Sequence, residues 1–193
     1  EWSARITEVV GTVLLHVEGD ADGLPAEAGT PLQAGDRIET GEDSRAEIAL
    51  EADSVLEVGA HTSFTVGSLK SEESWFSLSV GSFLAKLKSF QNKRASMRVR
   101  TPTAVAAVRG TEFGLEVGDD GVTDVGVFDE GRVAVTHGEA GEGAKETLLT
   151  AKQEATLAPG DREFSVRRLE RLERHRGRVG HLRERCEFHR KNW

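Results

Sequence analysis

Short apolar runs recur along most of the chain, and their pattern is typical of a β protein. Runs rich in Val, Ile, Thr, Phe and Leu appear roughly every eight to twelve residues, separated by Gly, Asp, Asn or Ser. In Arg45 to Leu50 and Ser54 to Val58 charged residues alternate with apolar ones, as on half-buried strands. No amphipathic helix of useful length precedes residue 165. The sequence therefore predicts an all-β fold, a rolled or sandwich-like sheet of many short, mostly antiparallel strands.

Turn residues repeat along the chain. Thr111 to Phe128 is the clearest hairpin, because Asp120-Gly121 between two apolar runs can take the positive φ angles of a tight primed turn. Leu32 to Arg37 is echoed by Leu157 to Arg162, each ending in Gly-Asp-Arg. A Gly that precedes a strand recurs at three unequally spaced positions, Gly11, Gly81 and Gly131. Unequal spacing excludes a regular solenoid and favours a rolled fold that reuses the same turns.

The spacing of apolar residues changes to a helical period after Ser165. It predicts a helix from about residue 166 to 176 and a weaker one after 180, because Gly177 and Gly180 disfavour a helix interior. Residues 166–193 carry a net charge of +6, whereas residues 1–165 carry −14. We therefore divide the chain into a β domain, 1–165, and a basic helical C-terminal tail, 166–193.

Composition narrows the classes of function. The 193 residues have a net charge of −8, so nucleic acid is a poor partner. No apolar run approaches the roughly 18 residues of a membrane span. The lone Cys186 excludes an intramolecular disulfide, although an exposed Cys186 can link two copies in an oxidising compartment. The chain begins at Glu1 rather than Met, which indicates either removal of a signal peptide or a trimmed chain.

Two blocks of sequence resemble the FecR-like domain. Leu32 to Gly41, followed by Ser44 to Ile48, is similar to its GD-x-I-x-T-G … S-R-A signature, and Val99 to Phe113 is similar to its V-x-TP-x-A … VRGT-x-F block. The similarity spans roughly residues 6–160. Turn chemistry explains Gly35-Asp36 and Gly110 without a ligand, so we interpret these blocks as framework.

The resemblance implies an exported, all-β, protein-contact module without known catalysis. The family is named after transmembrane regulators that hold a sigma factor inside the cell. The sequence shows no cytoplasmic helical segment of that kind, so we do not expect a role in sigma regulation. We expect an exported protein, periplasmic or extracellular, with no cofactor and no resident metal.

Two basic segments are the candidate contact surfaces. The first, which we call the basic stripe, runs from Lys86 to Arg109 within a stretch of 38 residues that has no acidic residue. It binds an acidic protein face or an anionic envelope polymer, or else it is a solvated strand face paired with acidic neighbours. The second is the tail, which can fold back onto its own body or dock on another copy. The predicted partner-binding residues are Lys86, Lys88, Lys93, Arg94, Arg98, Arg100, Arg167, Arg168, Arg171 and Arg174.

Other reactive groups give weaker patterns. His175, His181, Cys186 and His189 have irregular spacing for zinc, and Asp119, Asp120 and Asp124 lack the register of a calcium loop. The motifs of hydrolases, P-loop proteins and metalloproteases are absent. We predict a non-enzymatic interaction or scaffold module of a bacterial envelope. The alternatives are a structural subunit that polymerises through its tail and a module that binds an anionic glycan or cell wall.

Overall fold

The strands form two sheets that share one long strand. The computed structural model describes residues 1–88, 96–138 and 144–193. Across sheet A the described strands lie in the order β4 (Pro31–Leu32), β1 (Ala4–Val10), β6 (Arg45–Leu50), β7 (Ser54–Val58), β9 (Ser74–Lys86), β12 (Glu112–Val117), β13 (Thr123–Val127), β16 (Gln153–Leu157) and β17 (Ser165–Arg168). Across sheet B they lie in the order β3 (Leu24–Pro25), β2 (Val13–His16), β5 (Arg37–Thr40), β8 (Ser63–Ser68), β9, β10 (Met97–Arg100), β11 (Ala104–Val108), β14 (Arg132–His137) and β15 (Glu146–Thr150).

The predicted all-β fold of mostly antiparallel strands is confirmed. Only the pairing of β9 with β10 is parallel among the described strands. The first half of β9 pairs with β8 and β10 in sheet B, and its second half pairs with β7 and β12 in sheet A. Gly81, at φ +102°, lies where β9 passes between the sheets. Gly11 and Gly131 also lie where the chain changes sheet, which explains the glycines that recur before strands.

The core lies between the two sheets. Alternate side chains of each strand point inward, as the period-two pattern predicts. The buried ring of Phe64 in sheet B stacks on Phe76 at 5.4 Å and on Phe83 of sheet A at 5.2 Å between centroids. These rings join the two layers, as in a sandwich.

The two Gly-Asp-Arg repeats fold into the same turn. The Asp36 carboxylate accepts a hydrogen bond from Gln33 N at 2.8 Å, and the Asp161 carboxylate accepts one from Ala158 N at 2.9 Å. The glycine before each aspartate has a positive φ angle. Shared local chemistry therefore produces the sequence repeat.

Other residues of the two motif blocks brace the backbone. The Ser44 hydroxyl accepts a hydrogen bond from Thr12 N at 2.9 Å, and the Thr40 hydroxyl accepts one from Thr62 N at 2.9 Å. In the second block the Thr101 hydroxyl accepts a hydrogen bond from Ala104 N at 3.0 Å. The motif side chains thus act within the framework of the fold.

The hairpin between residues 111 and 128 is confirmed, but its turn differs from the predicted one. Strands β12 and β13 pair from Phe113↔Val127 to Val117↔Thr123. Gly121 N donates a hydrogen bond to Gly118 O at 2.9 Å, and Gly121 alone in this turn has a positive φ. A primed turn needs a positive φ at one or both of its central residues, and neither Asp119 nor Asp120 has one, so the five-residue connection forms an ordinary turn instead.

The predicted helix over residues 166–176 is wrong. Strand β17 occupies Ser165–Arg168, a 3₁₀ helix follows over Leu172–His175, and helix α1 spans Arg176–Asn192. Pairing with β16 overrides the helical spacing after Ser165. Helix α1 is also continuous through Gly177 and Gly180, because packing of Val179 and Leu182 offsets a cost of about 1 kcal/mol per glycine.

No helix within the described residues has the length and apolar character needed to span a membrane.

Candidate protein-contact surfaces

The outer face of sheet A carries a set of acidic side chains that the core does not use. One row of directly paired positions contains Glu47, Glu57, Leu84, Gly114, Gly126 and Glu154. Together with their neighbours on the same side of the sheet, the carboxylates form what we call the acidic face, which consists of Glu47, Glu57, Glu112, Glu116, Asp124 and Glu154. Five of these six residues are 0–8% exposed and the Glu116 side chain is 20% exposed, so the carboxylates need charged or hydrogen-bonding partners.

The C-terminal helices cover this face. Val55 and Leu84 of sheet A and Phe128, which directly follows β13, form a second apolar cluster with side chains from the tail, which are Leu169, Leu172, Val179, Leu182 and Cys186. Gly126 forms the floor of this contact, because a Cβ atom there would lie 2.7 Å from a Leu172 methyl and 2.9 Å from a Leu169 methyl. A side chain at this position would therefore push the tail away from the sheet.

Arginines of helix α1 bind the acidic face on both sides of the apolar cluster. The Arg185 guanidinium donates to both oxygens of Glu47 at 2.9–3.0 Å, and Arg178 makes a similar pair with Glu57. On the opposite side Arg183 donates to Glu112 at 2.5–2.6 Å. Bidentate geometry fixes the position of each partner.

The segment before α1 is anchored by Glu154. Its carboxylate, 0% exposed, accepts hydrogen bonds from Arg167 Nε at 2.7 Å and from the backbone amides of Arg171 and Leu172 at 3.1 Å. Arg171 also contacts Asp124 at 3.3 Å. The Glu154 carboxylate therefore fixes the path of the chain from β17 into the helices.

The structure thus shows the tail folded onto its own body. Of the predicted contact residues in the tail, Arg167 and Arg171 bind Glu154 and Asp124, Arg174 binds Glu116, and Arg168 lies exposed on β17. The sequence analysis did not identify the acidic face, because the strand register determines which carboxylates lie side by side. A role of these arginines with another molecule stays a prediction.

Acid should weaken the attachment of the tail. Burial raises the pKa of Glu47, Glu112, Glu116 and Glu154, but hydrogen bonds from guanidinium, imidazole and amide groups outweigh it, so each pKa lies below 4.5. The folded chain then binds fewer protons than the unfolded chain, and stability decreases as the pH falls from about 4.5 through the lowered values. We expect the free energy of unfolding, measured with urea, to decrease by at least about 2 kcal/mol between about pH 6 and about pH 3. An unchanged urea midpoint would contradict this assignment.

The basic stripe divides into two parts. Lys86 lies 3.2 Å from Glu112 and also binds Glu130, while Lys88 lies 2.5 Å from Asp53. For these two lysines the alternative of a strand face paired with acidic neighbours is the one observed. Lys93 and Arg94 lie outside the described residues.

The arginines of the stripe lie on the outer face of sheet B. The Arg100 guanidinium stacks over Trp75 at 4.3 Å from the ring centroid. Arg98 and Arg109 are exposed, and with Arg132 they line a groove of about 540 Å³ that we call the arginine groove. Sequence analysis missed Arg132, which β14 brings beside the stripe.

Apolar side chains form the floor of the arginine groove. The floor consists of Ala107, Ala134 and Leu148, which are directly paired across β11, β14 and β15, and Leu148 is 51% exposed. Arg98 on β10 pairs with Ala107 and continues the same row. Within the described residues Arg98, Arg109 and Arg132 have no ion-pair partner. One carboxylate, Glu146, also lines the groove.

The remaining reactive groups belong to the contact between tail and body. Cys186 is 8% exposed, and burial raises the pKa of its thiol to about 12, so the premise of an exposed, cross-linking cysteine is wrong. Donor atoms of Glu8, Glu47 and His181 lie within 4.8 Å of one another, but Glu47 already binds Arg185 and Thr7.

Two of the acidic residues of the hairpin have separate partners. Asp120 accepts a hydrogen bond from Val122 N at 3.1 Å, whereas Asp124 contacts Arg171 at 3.3 Å. The two carboxylates therefore serve the turn and the tail, respectively.

Comparison with known proteins identifies the β region. The family model described as FecR protein matches residues 36–139. Comparison with curated protein sequences gave no significant match. Two crystal structures of a protein from Parabacteroides distasonis, which carries the provisional description anti-sigma factor, are similar at 16% identity, with TM-scores of 0.57 and 0.58. Each similarity covers 70% of this chain and 61% of the other, so it shows a shared fold over part of a longer protein.

Proposed function

The chain belongs to the FecR family, and from that premise we propose that it is a non-enzymatic protein-interaction module of the bacterial envelope. Export to the periplasm or the cell exterior is part of this proposal. The roles of the motif residues support it, because those side chains brace turns and strand crossings. Many charged side chains on the outer face of sheet A bind one another across the contact with the tail. The contact surface is then to be sought on sheet B.

The arginine groove is the proposed contact surface. The observation that carries the proposal is that three exposed arginines, Arg98, Arg109 and Arg132, lie without ion-pair partners in the described residues around the apolar floor. Unpaired positive charge attracts an acidic partner, and an exposed apolar floor gives a short-range contact that excludes water. An anionic glycan would use the same charges, but the 51% exposed Leu148 favours a protein.

A photo-crosslinking experiment tests the surface directly. A photoreactive amino acid replaces Leu148 in two versions of the protein. One version keeps the native arginines, and the other carries the triple substitution Arg98→Glu, Arg109→Glu and Arg132→Glu. The covalent adducts that the two versions form in cells are then compared. If each charge contributes about 1 kcal/mol, the triple reversal weakens binding by at least about 100-fold and the adduct disappears. The affinity for the captured protein should also decrease as salt increases.

A matched triple reversal controls for charge alone. Lys70, Arg162 and Lys191 are exposed and lie outside the groove, so replacing them with Glu should leave the adduct unchanged. An adduct that survives in the groove variant, or that is lost equally in the control variant, contradicts the proposed surface. An adduct with glycan instead of protein would favour the alternative partner.

A further inference from the structure

The C-terminal helix is held to the sheets by side chains. The last backbone–backbone hydrogen bond between the tail and the β domain runs from Leu169 N to Lys152 O at 2.8 Å. After it, the backbone amides of Arg171 and Leu172 donate to the Glu154 side chain. Within the described residues no backbone–backbone hydrogen bond joins residues 173–193 to either sheet. The helix can therefore leave its site without disrupting any strand pairing.

The helix is also weak by itself. It has no side-chain N-cap and no acidic residue in its first turn. A Cβ atom at Gly177 or Gly180 would have no neighbour within 4 Å, so packing does not require either glycine. Each of them nevertheless costs about 1 kcal/mol relative to Ala. Its structure thus depends on the acidic face that it covers.

The acidic face fits a particular kind of helix. Val179, Leu182 and Cys186 have the spacing of an apolar stripe, and arginines seven residues apart flank it on each side. The flanking pairs are Arg178 with Arg185 and Arg176 with Arg183. Carboxylates on the sheet match both sides, so the face is complementary to an arginine-bearing amphipathic helix.

We propose that the acidic face binds the C-terminal helix of a second copy of this chain. Exchange preserves each contact, because the helix of one copy finds the same apolar cluster and the same carboxylates on the other. The cost is then mainly that of association, as in domain swapping. Reciprocal exchange gives a dimer, whereas sequential exchange gives a ring or an open filament. This surface lies on sheet A and does not depend on the arginine groove.

Cysteine trapping tests the exchange. Val55 lies in the same cluster as Cys186 and contacts its thiol through the backbone. The first chain carries Val55→Cys and Cys186→Ser, so its only thiol lies on the acidic face. The second is the native chain, whose only thiol is Cys186 on helix α1. After the two are mixed at high concentration, a mild oxidant removes two electrons and two protons from the facing thiols. We expect a disulfide-linked species of twice the chain mass, at least tenfold above the control.

Two controls make the result decisive. The single variant Val55→Cys, which keeps Cys186, should close a disulfide within one chain, which shows that the site is folded and that the two sulfurs meet. The variant Thr150→Cys with Cys186→Ser carries its thiol on the exposed sheet B strand β15, and it measures random collision. Independently, native mass spectrometry of mixed isotope-labelled and unlabelled native chains should reveal mixed dimers. Trapping no greater than in the Thr150 control, with no mixed dimer, overturns the proposal.

Discussion

Replacing Glu154 with Ala is expected to lower the free energy of unfolding by about 3 kcal/mol. Its carboxylate is 0% exposed and accepts three hydrogen bonds, from Arg167 and from two backbone amides. Alanine leaves these donors without an acceptor in a site that water does not reach. The effect should lie at the low end for a broken buried ion pair, because the Arg167 side chain keeps 30% exposure.

Urea unfolding at neutral pH measures this loss. Glu163 provides the control, because its side chain is 77% exposed and Glu163→Ala should change stability by less than about 0.5 kcal/mol. Limited trypsin digestion adds a local measurement, since a displaced tail exposes its arginines. If Glu154→Ala is as stable and as resistant to trypsin as the native chain, Glu154 does not anchor the tail.

Replacing Gly81 with Ala is expected to cost at least about 3 kcal/mol. Its φ of +102° is a conformation that residues with a Cβ rarely adopt. A Cβ atom would also lie 2.1 Å from the Thr62 hydroxyl and 2.5 Å from Thr62 Cα. The backbone of Thr62 cannot rotate away, so one sheet must shift relative to the other.

Gly160 separates the two causes of this loss. It has a similar φ of +88°, but a Cβ atom there has no neighbour within 4 Å. Gly160→Ala should therefore show backbone strain alone, about 1–2 kcal/mol. Comparison of thermal unfolding midpoints measures the difference. Equal losses for the two variants would show that the close approach to Thr62 has little effect.

The sequence predicted the features that local chemistry determines. Alternation of apolar and polar residues identified the strands, and the Gly-Asp-Arg repeats marked two turns that are built alike. The helix after Ser165 was predicted wrongly, because Val166 and its neighbours have helical spacing but pair with β16. Local spacing cannot reveal a competing partner that lies ten residues or more away along the chain.

The candidate surfaces required the register of distant strands. Glu47 and Glu57 pair within the hairpin of β6 and β7, but Glu154 lies much later in the chain and reaches the same row only through the pairing of strands across sheet A. Arg132 joined Arg98 and Arg109 for the same reason, on sheet B. The basic tail itself was recognisable from its charge, but the choice between its own body and another copy depended on where the carboxylates lie.

Strand β9 has a mechanical consequence for the whole β region. One half of β9 is hydrogen-bonded within each sheet, and the two halves are one continuous chain. A pulling force applied to either sheet is therefore carried into the other through the covalent backbone of β9. The two sheets cannot separate unless the hydrogen bonds of β9 to its neighbouring strands in at least one of them break first.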